Sequence, residues 1–472
     1  MENKHKSRPF LRLTDGEQLV LLVFLNLLAG ASAGFLSLAI WARWDQWLDF
    51  SFKFIRVRAP WFWMLPLVWA LLMFNLYDLR KGRSLRDIIL DILKGSGFGA
   101  VIYLAIYFNS GTGSLPRRSI LIFLLIVVPL TIVLQIIYQR LVSGHVLLRR
   151  VLVVGAGEAG NAIMEVIRGF DPPPLEVVGL IDDDPDKRGQ LYHDTEVLGD
   201  SNNLRSLIID QGITDIVVAI MGPMKGNMFQ ALLDAQQQNV EIIRMPVLYE
   251  QLTGRVPIHH LESDWLLRSF VDEVGSSGFY QLAKRLVDIV SGLIGIVLML
   301  LLMPVVGAAI MIDSGLPVLF SQTRMGKGGQ HYELWKLRTM IQDAEADGKA
   351  HWAQQDDPRV TKVGRWLRKM HLDEFPQFIN ILRGEMSLVG PRPERPELVA
   401  ELEKHIPFYR ARVLVKPGAT GWAQVRYTKG ASIEGSDEKL EFDLYYIKHR
   451  SLLMDIWIVV QTFGSILGLK GE

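Results

Sequence analysis

Four long apolar stretches dominate the first third of the chain. Each is close to the roughly 20 residues that an α-helix needs to cross the hydrocarbon core of a bilayer. The third is the least uniform, since Asp91 and Lys94 lie in its first turns. The stretches are 18–41, 61–77, 88–108 and 120–137. This pattern predicts a four-helix transmembrane region over residues 1–148.

Basic residues near the ends of these stretches predict their orientation, because cytoplasmic loops carry an excess of Lys and Arg. They cluster before the first stretch, between the second and third, and after the fourth. The residues are Lys4, Lys6, Arg8, Arg12, Arg80, Lys81, Arg83, Arg86, Arg140, Arg149 and Arg150. The other two connections are also basic, which weakens the prediction. With four crossings the chain returns to the cytoplasmic side of its N-terminus.

Short β-branched segments alternate with helical patterns over residues 149–248. This alternation is typical of a parallel sheet whose strands are joined by helices. The strands are predicted at 151–154, 176–182, 214–220 and 241–246. The sequence therefore predicts a Rossmann-like α/β domain.

Gly155, Gly157 and Gly160 follow the first of these strands with G-x-G-x-x-G spacing, and Asp182 ends the second. In a dinucleotide site such glycines allow close approach of a pyrophosphate, and the acidic residue contacts a ribose hydroxyl. The same glycines also permit close helix-on-strand packing in domains that bind no nucleotide, and Asp182 can belong to an ordinary polar turn. Both interpretations stay open.

A fifth apolar run follows a predicted linker over 249–278. Pro304 interrupts this run, and a proline inside a helix removes a hydrogen bond and kinks the axis. Lys284 and Arg285 precede the run and further basic residues follow it, as expected for a segment that enters and leaves by the cytoplasmic face. The pattern predicts a re-entrant helix–break–helix over about 283–312. A fifth crossing is the alternative.

Composition narrows the chemistry. Among 472 residues the net charge is +1, which does not match a dedicated nucleic-acid binder, and 49% of residues are hydrophobic. There is no cysteine, so disulfides, thiolate nucleophiles and iron–sulfur clusters are excluded. Without a thiolate, we expect any covalent intermediate to use an oxygen nucleophile.

Asp373 and Glu374 are adjacent, just before Pro376, which a helix tolerates only in its first turn. Asp373 is therefore a candidate helix N-cap without a catalytic role. Against that interpretation, the same third of the chain carries more cations than a cap needs. Two carboxylates amid cations also suit phosphoryl transfer, with one carboxylate as nucleophile and the other binding Mg²⁺. The cations are Arg324, Lys336, Arg338, Arg359 and Arg392.

Four segments of this region together resemble the motif set of one bacterial family. They are KLRTM, DEFPQFIN, GEMSLVGPRP and KPGATGWAQV. The sequence is similar to the monotopic polyprenol-phosphate hexose-1-phosphate transferases, also called bacterial sugar transferases or monotopic phosphoglycosyl transferases. The large form of this family implies four N-terminal transmembrane helices, a Rossmann-like middle domain and a mostly helical α+β catalytic domain over 279–472 with a re-entrant membrane helix.

The resemblance implies a two-step reaction. Asp373 would attack the sugar-proximal phosphate of a UDP-sugar and release UMP, and Glu374 would bind Mg²⁺. Undecaprenyl phosphate would then attack the phosphosugar–aspartyl intermediate to give undecaprenyl-diphosphate-sugar. By position, the implied substrate-binding residues are Lys336, Arg338, Arg324, Arg359, Gln377, Pro391, Arg392 and Pro393. The residues implied for the re-entrant helix are Lys284, Arg285, Asp288 and Pro304.

The family also implies a setting and partners. The expected location is the bacterial inner membrane, with both extramembrane domains in the cytoplasm and exopolysaccharide synthesis as the process. A glucose or galactose donor, membrane lipids and a homodimer are expected, and no nucleic acid. A nucleotide in the Rossmann-like domain is a further expectation. The alternative functions are a membrane-tethered nucleotide-sugar oxidoreductase and a non-catalytic scaffold for polysaccharide assembly.

Overall fold

The computed structural model describes ten segments of the chain and divides it into two compact units, Met1–Thr253 and Gly254–Glu472. Part of the predicted linker and most of the basic residues used for orientation lie outside the described segments. The described residues are 15–44, 51–77, 85–109, 117–142, 149–171, 173–224, 226–261, 278–342, 357–427 and 433–466.

Four apolar helices occupy the N-terminal region, as the hydrophobic pattern predicts, and one short helix precedes the second of them. The bounds are α1 Asp15–Trp44, α2 Phe52–Val57, α3 Ala59–Leu72, α4 Leu85–Asn109 and α5 Arg117–Val142. In the three long helices, only 22 to 33% of the most apolar part is buried inside the protein. Large apolar side chains such as Leu121 and Leu125 point outward. Helices with apolar outer faces are what a lipid environment requires.

One of the four predicted crossings is shorter than expected. Helices α1, α4 and α5 contain apolar spans of 26, 24 and 23 residues, whereas α3 has 14 residues, or about 21 Å. That is less than the roughly 30 Å of a bilayer core. The predicted segment extends to residue 77, but Phe74–Tyr77 is a 3₁₀ turn in which the Tyr77 hydroxyl donates to Ala70 O at 2.8 Å. The hydropathy of the segment reflects its apolar composition and does not predict this turn.

Polar groups inside the helix bundle are paired with one another. Trp69 Nε1 donates to Thr131 Oγ1 at 3.0 Å, and the Tyr103 hydroxyl donates to Leu65 O at 3.0 Å. Trp69 and Tyr103 are fully buried, and Phe123 packs edge-on against both rings. These contacts join α3, α4 and α5 around one core.

A six-stranded sheet confirms the Rossmann-like prediction. Its order is β3-β4-β2-β1-β5-β6, and every pair is parallel except the β3–β4 hairpin. The strands are β1 Arg149–Val154, β2 Leu175–Ile181, β3 Leu191–Tyr192, β4 Thr195–Gly199, β5 Asp215–Val218 and β6 Glu241–Arg244. Buried β-branched residues of β1 pack on both faces, as expected of a central parallel strand.

Four helices cover this sheet, two in each of its two hydrophobic clusters. They are α6 Glu158–Arg168, α7 Leu204–Gln211, α8 Gly226–Gln237 and α9 Met245–Thr253. Residues 249–253, within the predicted linker, form the last part of α9, where Tyr249 is buried. Farther along the same stretch, Val256 and Ile258 belong to the core of the second unit.

The first α-helix described in the second unit is α10 Gly278–Ser314. It has 37 residues and is long and apolar enough to cross a membrane. The sequence predicts two helices separated by a break at Pro304. The structure instead has helical backbone through Pro304. A proline deletes one intrahelical hydrogen bond, and the long Leu- and Met-rich flanks keep the helix formed on both sides. The re-entrant path stays a prediction.

Short helices and two small sheets complete this unit. The antiparallel pair is β7 Leu319–Met325 with β8 His331–Leu337, and the parallel pair is β9 Ser387–Val389 with β10 Gly418–Thr420. The helices are α11 Lys362–Lys369, α12 Gln377–Arg383, α13 Pro396–His405, α14 Trp422–Arg426, α15 Ile433–His449 and α16 Leu452–Ile466. Their largest core gathers buried residues of α13, α14 and α15 around Trp422 and Tyr446. The mostly helical α+β prediction is confirmed.

Candidate active site

The Asp373–Glu374 pair lies on a tight turn between two helices. Leu372–Glu374 is a 3₁₀ turn, preceded by His371 in the left-handed region at φ 54°. The next α-helix begins only at Gln377, with Pro376 before it and no side-chain cap. Asp373 is therefore not the N-cap of that helix. Pro376 and the 3₁₀ turn move the helix start three residues farther along the chain.

Glu374 is held by two cations. Its Oε1 accepts from Lys336 Nζ at 3.2 Å and from Arg392 Nη2 at 2.8 Å. Burial opposes ionisation of Glu374, but the charges and hydrogen bonds of Arg392 and Lys336 outweigh it and lower the pKa to about 2. Glu374 is therefore a fixed anion at neutral pH, with one carboxylate oxygen committed to the protein.

Asp373 has the opposite surroundings. Its side chain is buried, and it forms no ion pair with any other residue in the described part of the chain. Burial raises the pKa of Asp373, and the neighbouring Glu374 adds to that rise, while the charges of Lys336 and Arg368 oppose it. A carboxylate with few donors keeps its lone pairs available, which is what a nucleophile requires.

Asn380 joins the helix that follows the dyad to the strand that carries Lys336. Its amide nitrogen donates to Glu333 O at 2.7 Å and to Glu385 Oε2 at 2.6 Å. Its Oδ1 accepts from Trp335 N at 3.3 Å. Asn380 is fully buried, so these bonds are shielded from water. This network fixes α12 against β8.

Lys336 and Arg338 lie two residues apart at the end of β8. Lys336 contacts the dyad through Glu374, and burial lowers its pKa even though the Glu374 charge opposes that shift. Arg338 is half-buried, and its Nη1 has no hydrogen-bond partner among the described residues. A buried guanidinium nitrogen without an acceptor is a plain candidate for an anion such as a phosphate oxygen.

The Pro391–Arg392–Pro393 segment is fixed by its backbone, which leaves the Arg392 side chain to face the dyad. Pro391 O accepts from Gly418 N at 2.9 Å, and Pro393 O accepts from Arg324 Nη1 at 3.1 Å. Arg324 thus contacts this segment directly, and its role in the structure is to position it.

Arg359 and Gln377 are two further predicted residues without a described contact to the dyad. Arg359 forms a close pair with Asp357, with Nε at 2.9 Å and Nη2 at 2.6 Å from the carboxylate. Gln377 is buried in the first turn of α12. Their assignment to substrate binding stays a prediction.

Two arginines outside the predicted set act on this site. The charge of Arg368 bears on Asp373, and its Nε donates to Thr339 Oγ1 at 2.9 Å. Arg412 donates to Arg392 O at 3.0 Å and to the buried Asp443 at 2.8 Å. The one sequence signal for Arg368 was its place in a basic helix directly before the dyad. Asp443 comes from a distant helix and gave none.

The residues predicted at the start of the apolar helix anchor it to the catalytic unit. Lys284 Nζ donates to Val389 O at 3.0 Å and Asp455 Oδ2 at 2.9 Å. Arg285 donates to the carbonyls of Ile381 and Leu382, at the end of α12.

Asp288 Oδ1 accepts from Ser387 Oγ and Leu388 N, both at 2.8 Å. Lys284, Arg285 and Asp288 therefore connect α10 to the end of α12 and to β9.

The predicted nucleotide site has glycines in the expected places. Gly155 has φ +109°, and a Cβ there would come within 2.8 Å of Ala219 O, while a Cβ on Gly160 would collide with Gly155 O. A Cβ on Gly157 would meet open space. Gly155 and Gly160 are thus required by packing alone.

Asp182 already accepts three hydrogen bonds within the domain. They come from Ala156 N at 2.8 Å, Asp184 N at 2.9 Å and Lys187 Nζ at 3.0 Å. A carboxylate has about four acceptor positions, so Asp182 has little capacity left for a ribose. These contacts favour the packing interpretation of the motif over nucleotide binding.

The dyad also fits Mg²⁺ in the manner of phosphoryl-transfer sites. Mg²⁺ keeps several waters and is bound there by one or two carboxylates together with substrate phosphates. Among the described residues there is no cluster of three or more His, Asp or Glu that could hold a metal. Asp373 and Glu374 supply two carboxylates, and both described contacts of Glu374 end on Oε1. The donor set suits an ion shared with substrate phosphates.

Two family models match this chain. The family model for bacterial sugar transferases matches residues 279–468, which contain the dyad and all its described partners. A second model, described as a CoA-binding domain, matches residues 73–246.

Several curated relatives are similar to this chain. One is the UDP-N-acetylgalactosamine-undecaprenyl-phosphate N-acetylgalactosaminephosphotransferase of Aeromonas hydrophila, 41% identical over 48% of this chain and 53% of that protein. Another is the UDP-glucose:undecaprenyl-phosphate glucose-1-phosphate transferase of Escherichia coli, 34% identical over 66% of this chain and 67% of that protein. A Caulobacter vibrioides transferase with the same description is 42% identical over 39% of this chain and 70% of its own length.

The chain belongs to the bacterial sugar transferase family, as its motifs predicted. The alignments span about half the length of the first of these relatives and two thirds of the second.

Proposed function

We propose that this protein transfers a hexose-1-phosphate from a UDP-sugar to undecaprenyl phosphate, as the relatives are described to do. The observation that carries the proposal is the contrast within the dyad. Asp373 is buried without an ion-pair partner among the described residues, and the adjacent Glu374 is fixed by Lys336 and Arg392. One carboxylate is available to react and the other is held in place.

In the first step, a carboxylate oxygen of Asp373 attacks the sugar-proximal phosphorus. The bond from that phosphorus to the UMP oxygen breaks, and UMP leaves with the electron pair. Lys336, Arg392 and the unpartnered Nη1 of Arg338 supply positive charge for the phosphate oxygens. Bound Mg²⁺ would neutralise charge on the donor phosphates.

In the second step, a phosphate oxygen of undecaprenyl phosphate attacks the same phosphorus. The phosphorus–aspartyl bond breaks, Asp373 is regenerated as a carboxylate, and the lipid carries a diphosphate linked to the sugar. The lipid acceptor is confined to the membrane and the donor is soluble. The long apolar helix α10 in the same unit as the dyad supports a reaction at the membrane surface.

The experiment supplies purified full-length protein with Mg²⁺, undecaprenyl phosphate and a panel of UDP-sugars that includes glucose, galactose and N-acetylgalactosamine. UMP release that requires the lipid, together with labelled lipid product, is the expected result. Mass spectrometry of a quenched first-step reaction should find the phosphosugar on the peptide that contains Asp373. Absence of turnover with every donor would contradict the proposal.

We also propose that the catalytic unit faces the cytoplasm of the bacterial inner membrane, where nucleotide-activated sugars are made. A protease-cleavage site or a labelling tag placed at residue 472 should be accessible only from the cytoplasmic side. Accessibility from outside would instead indicate a fifth crossing through α10.

A further inference from the structure

A cavity of about 480 Å³ lies beside the first turns of α10 and includes neither carboxylate of the dyad. Its lining has a strong charge imbalance, with five cations and a single carboxylate, Asp288. The cations are Lys284, Arg285, Lys327, Lys416 and Arg450. A concave site with this excess of positive charge attracts an anion.

The protein itself neutralises only part of this charge. Asp288 already accepts two hydrogen bonds at Oδ1, Lys284 is paired with the carboxylate of Asp455 at 2.9 Å, and Arg285 donates to two backbone carbonyls. Lys416 and Lys327 form no hydrogen bond or ion pair within the described segments. Lys416 is half-buried, and its pKa is lowered by burial and by the nearby charge of Arg285. An unpaired, half-buried ammonium calls for an anionic partner.

Two of the cations converge on one point. Gly384, at φ +82°, ends α12, and a Cβ at that position would lie 3.3 Å from Lys416 Nζ and 3.6 Å from Arg285 Nη2. The absence of a side chain there leaves both cationic groups open to the same space. Because α12 begins directly after the dyad, an anion held by these groups would sit at the opposite end of that helix.

The cavity also adjoins apolar surface. Leu414 lines it and is 46% exposed. On the neighbouring turns of α10, Phe279 and Leu282 are 75% and 72% exposed, and Leu453 at the start of α16 is 81% exposed. Exposed apolar side chains beside a cationic cavity match a ligand with an anionic head and a hydrocarbon tail.

We propose that this cavity binds the phosphate head of a membrane lipid, with Lys416 and Arg285 as its contacts and the lipid chain along the exposed face of α10. Naming that lipid as the polyprenyl phosphate acceptor rests on the proposed function. The site would then hold the acceptor before its oxygen reaches the phosphorus on Asp373.

The test measures lipid binding to the full-length protein in detergent by native mass spectrometry. Undecaprenyl phosphate, phosphatidylglycerol and inorganic phosphate are titrated separately. Lys416→Met should weaken lipid binding about tenfold, the loss expected for one charge-assisted contact. Lys327→Met, on an exposed residue, should weaken it about threefold. Lys404→Met, on an exposed lysine of α13, is the matched control and should leave binding within about twofold.

The three titrated ligands distinguish a lipid phosphate group from free inorganic phosphate. Preference for undecaprenyl phosphate over phosphatidylglycerol supports an acceptor site, and equal losses for both lipids in Lys416→Met support a general lipid-phosphate site. Inorganic phosphate that binds as tightly as either lipid would overturn the lipid assignment. Unchanged lipid binding in Lys416→Met, with an unaltered unfolding temperature, would overturn the site itself.

Turnover distinguishes this inference from the proposed function. If the wild-type protein binds lipid through Lys416 but releases no UMP with any donor, the transferase proposal fails and the lipid site stands. If the wild-type protein turns over and Lys416→Met leaves the KM for undecaprenyl phosphate unchanged, the lipid site fails and the transferase stands. A raised KM for the lipid with an unchanged KM for the UDP-sugar supports both.

Discussion

The two aspartates that the sequence singled out, Asp182 and Asp373, have opposite surroundings. Asp182 accepts three hydrogen bonds from its own domain, and the contacts with Asp184, Lys187 and Ala156 lower its pKa despite burial. Asp373 is buried and forms no ion pair within the described segments, and burial raises its pKa. A carboxylate saturated by the fold serves stability, and one that the fold leaves unsaturated is available for chemistry.

The same contrast appears inside the dyad. Glu374 resembles Asp182, because cations fix it and keep it ionised, whereas Asp373 next to it has no such partner among the described residues. A carboxylate without a described ion pair thus lies beside one that two cations hold in place.

Asp373→Asn should reduce lipid-dependent UMP release by about 10³-fold or more, because the amide cannot form the aspartyl intermediate. The rate of UMP release under saturating donor and lipid checks it. Asp182→Asn is the matched control and should retain activity within about twofold. Equal losses in both variants would remove the distinction between the two aspartates.

Arg392→Met and Lys336→Met should each lower turnover by about 10- to 100-fold, since each removes one cation from Glu374 and from the phosphates. Arg365→Met, on an exposed arginine of α11, provides the control. Full activity in both test variants would show that Glu374 does not need this pairing. A steady-state comparison of kcat and KM for the donor measures the effect.

Asn380→Leu should destabilise the second unit by roughly 3 kcal/mol, because Trp335 N and Glu333 O lose a buried partner. Denaturant unfolding followed by tryptophan fluorescence measures this loss. Activity should fall as well, since α12 no longer fixes the dyad against Lys336. Asn161→Ala, at an exposed position of α6, should change stability by less than about 0.5 kcal/mol. A neutral Asn380→Leu would mean that other contacts fix α12.

Asp182→Asn should cost about 1 to 3 kcal/mol of local stability at neutral pH, with activity preserved. The pKa of Asp182 is lower in the folded domain, so its stabilisation is present above the unfolded value of about 4 and is lost as pH falls below it. Hydrogen exchange of the Ala156 amide should therefore be faster in the variant at pH 7, and the difference should shrink in acid. A constant difference across pH would contradict the assigned role of the charge.

Much of the architecture follows from local sequence patterns. The apolar helices, four of the six strands of the sheet and the family motifs are visible in the sequence because each depends on neighbouring residues, whereas the short strands β3 and β4 were not predicted. The length of the second predicted crossing, α3, was overestimated. The apolar run continues to Tyr77, but the helix ends at Leu72 and a 3₁₀ turn follows it. The predicted break at Pro304 was wrong, because the helix α10 continues through this residue.

The chemistry of the site depended on contacts between distant segments. The sequence alone placed Asp373 and Glu374 beside cations, but it could not assign Lys336 and Arg392 to Glu374 instead of Asp373. It could not show that Arg359 pairs with Asp357, or that Arg324 holds the Pro393 carbonyl. Arg412 donates both to Arg392 O and to Asp443 on α15, and no local sequence pattern predicts that Asp443 is its partner.

Local sequence patterns are enough to classify the parts of this protein. Apolar run length and strand–helix alternation specify membrane helices and a parallel sheet, and the missing cysteine restricts a covalent route to other nucleophiles. The folded arrangement sets which carboxylate is saturated and which is left available, and which cations face the cavity beside α10. Hydrogen bonding and burial of a side chain are set by groups far away in the chain, so no local pattern could decide them.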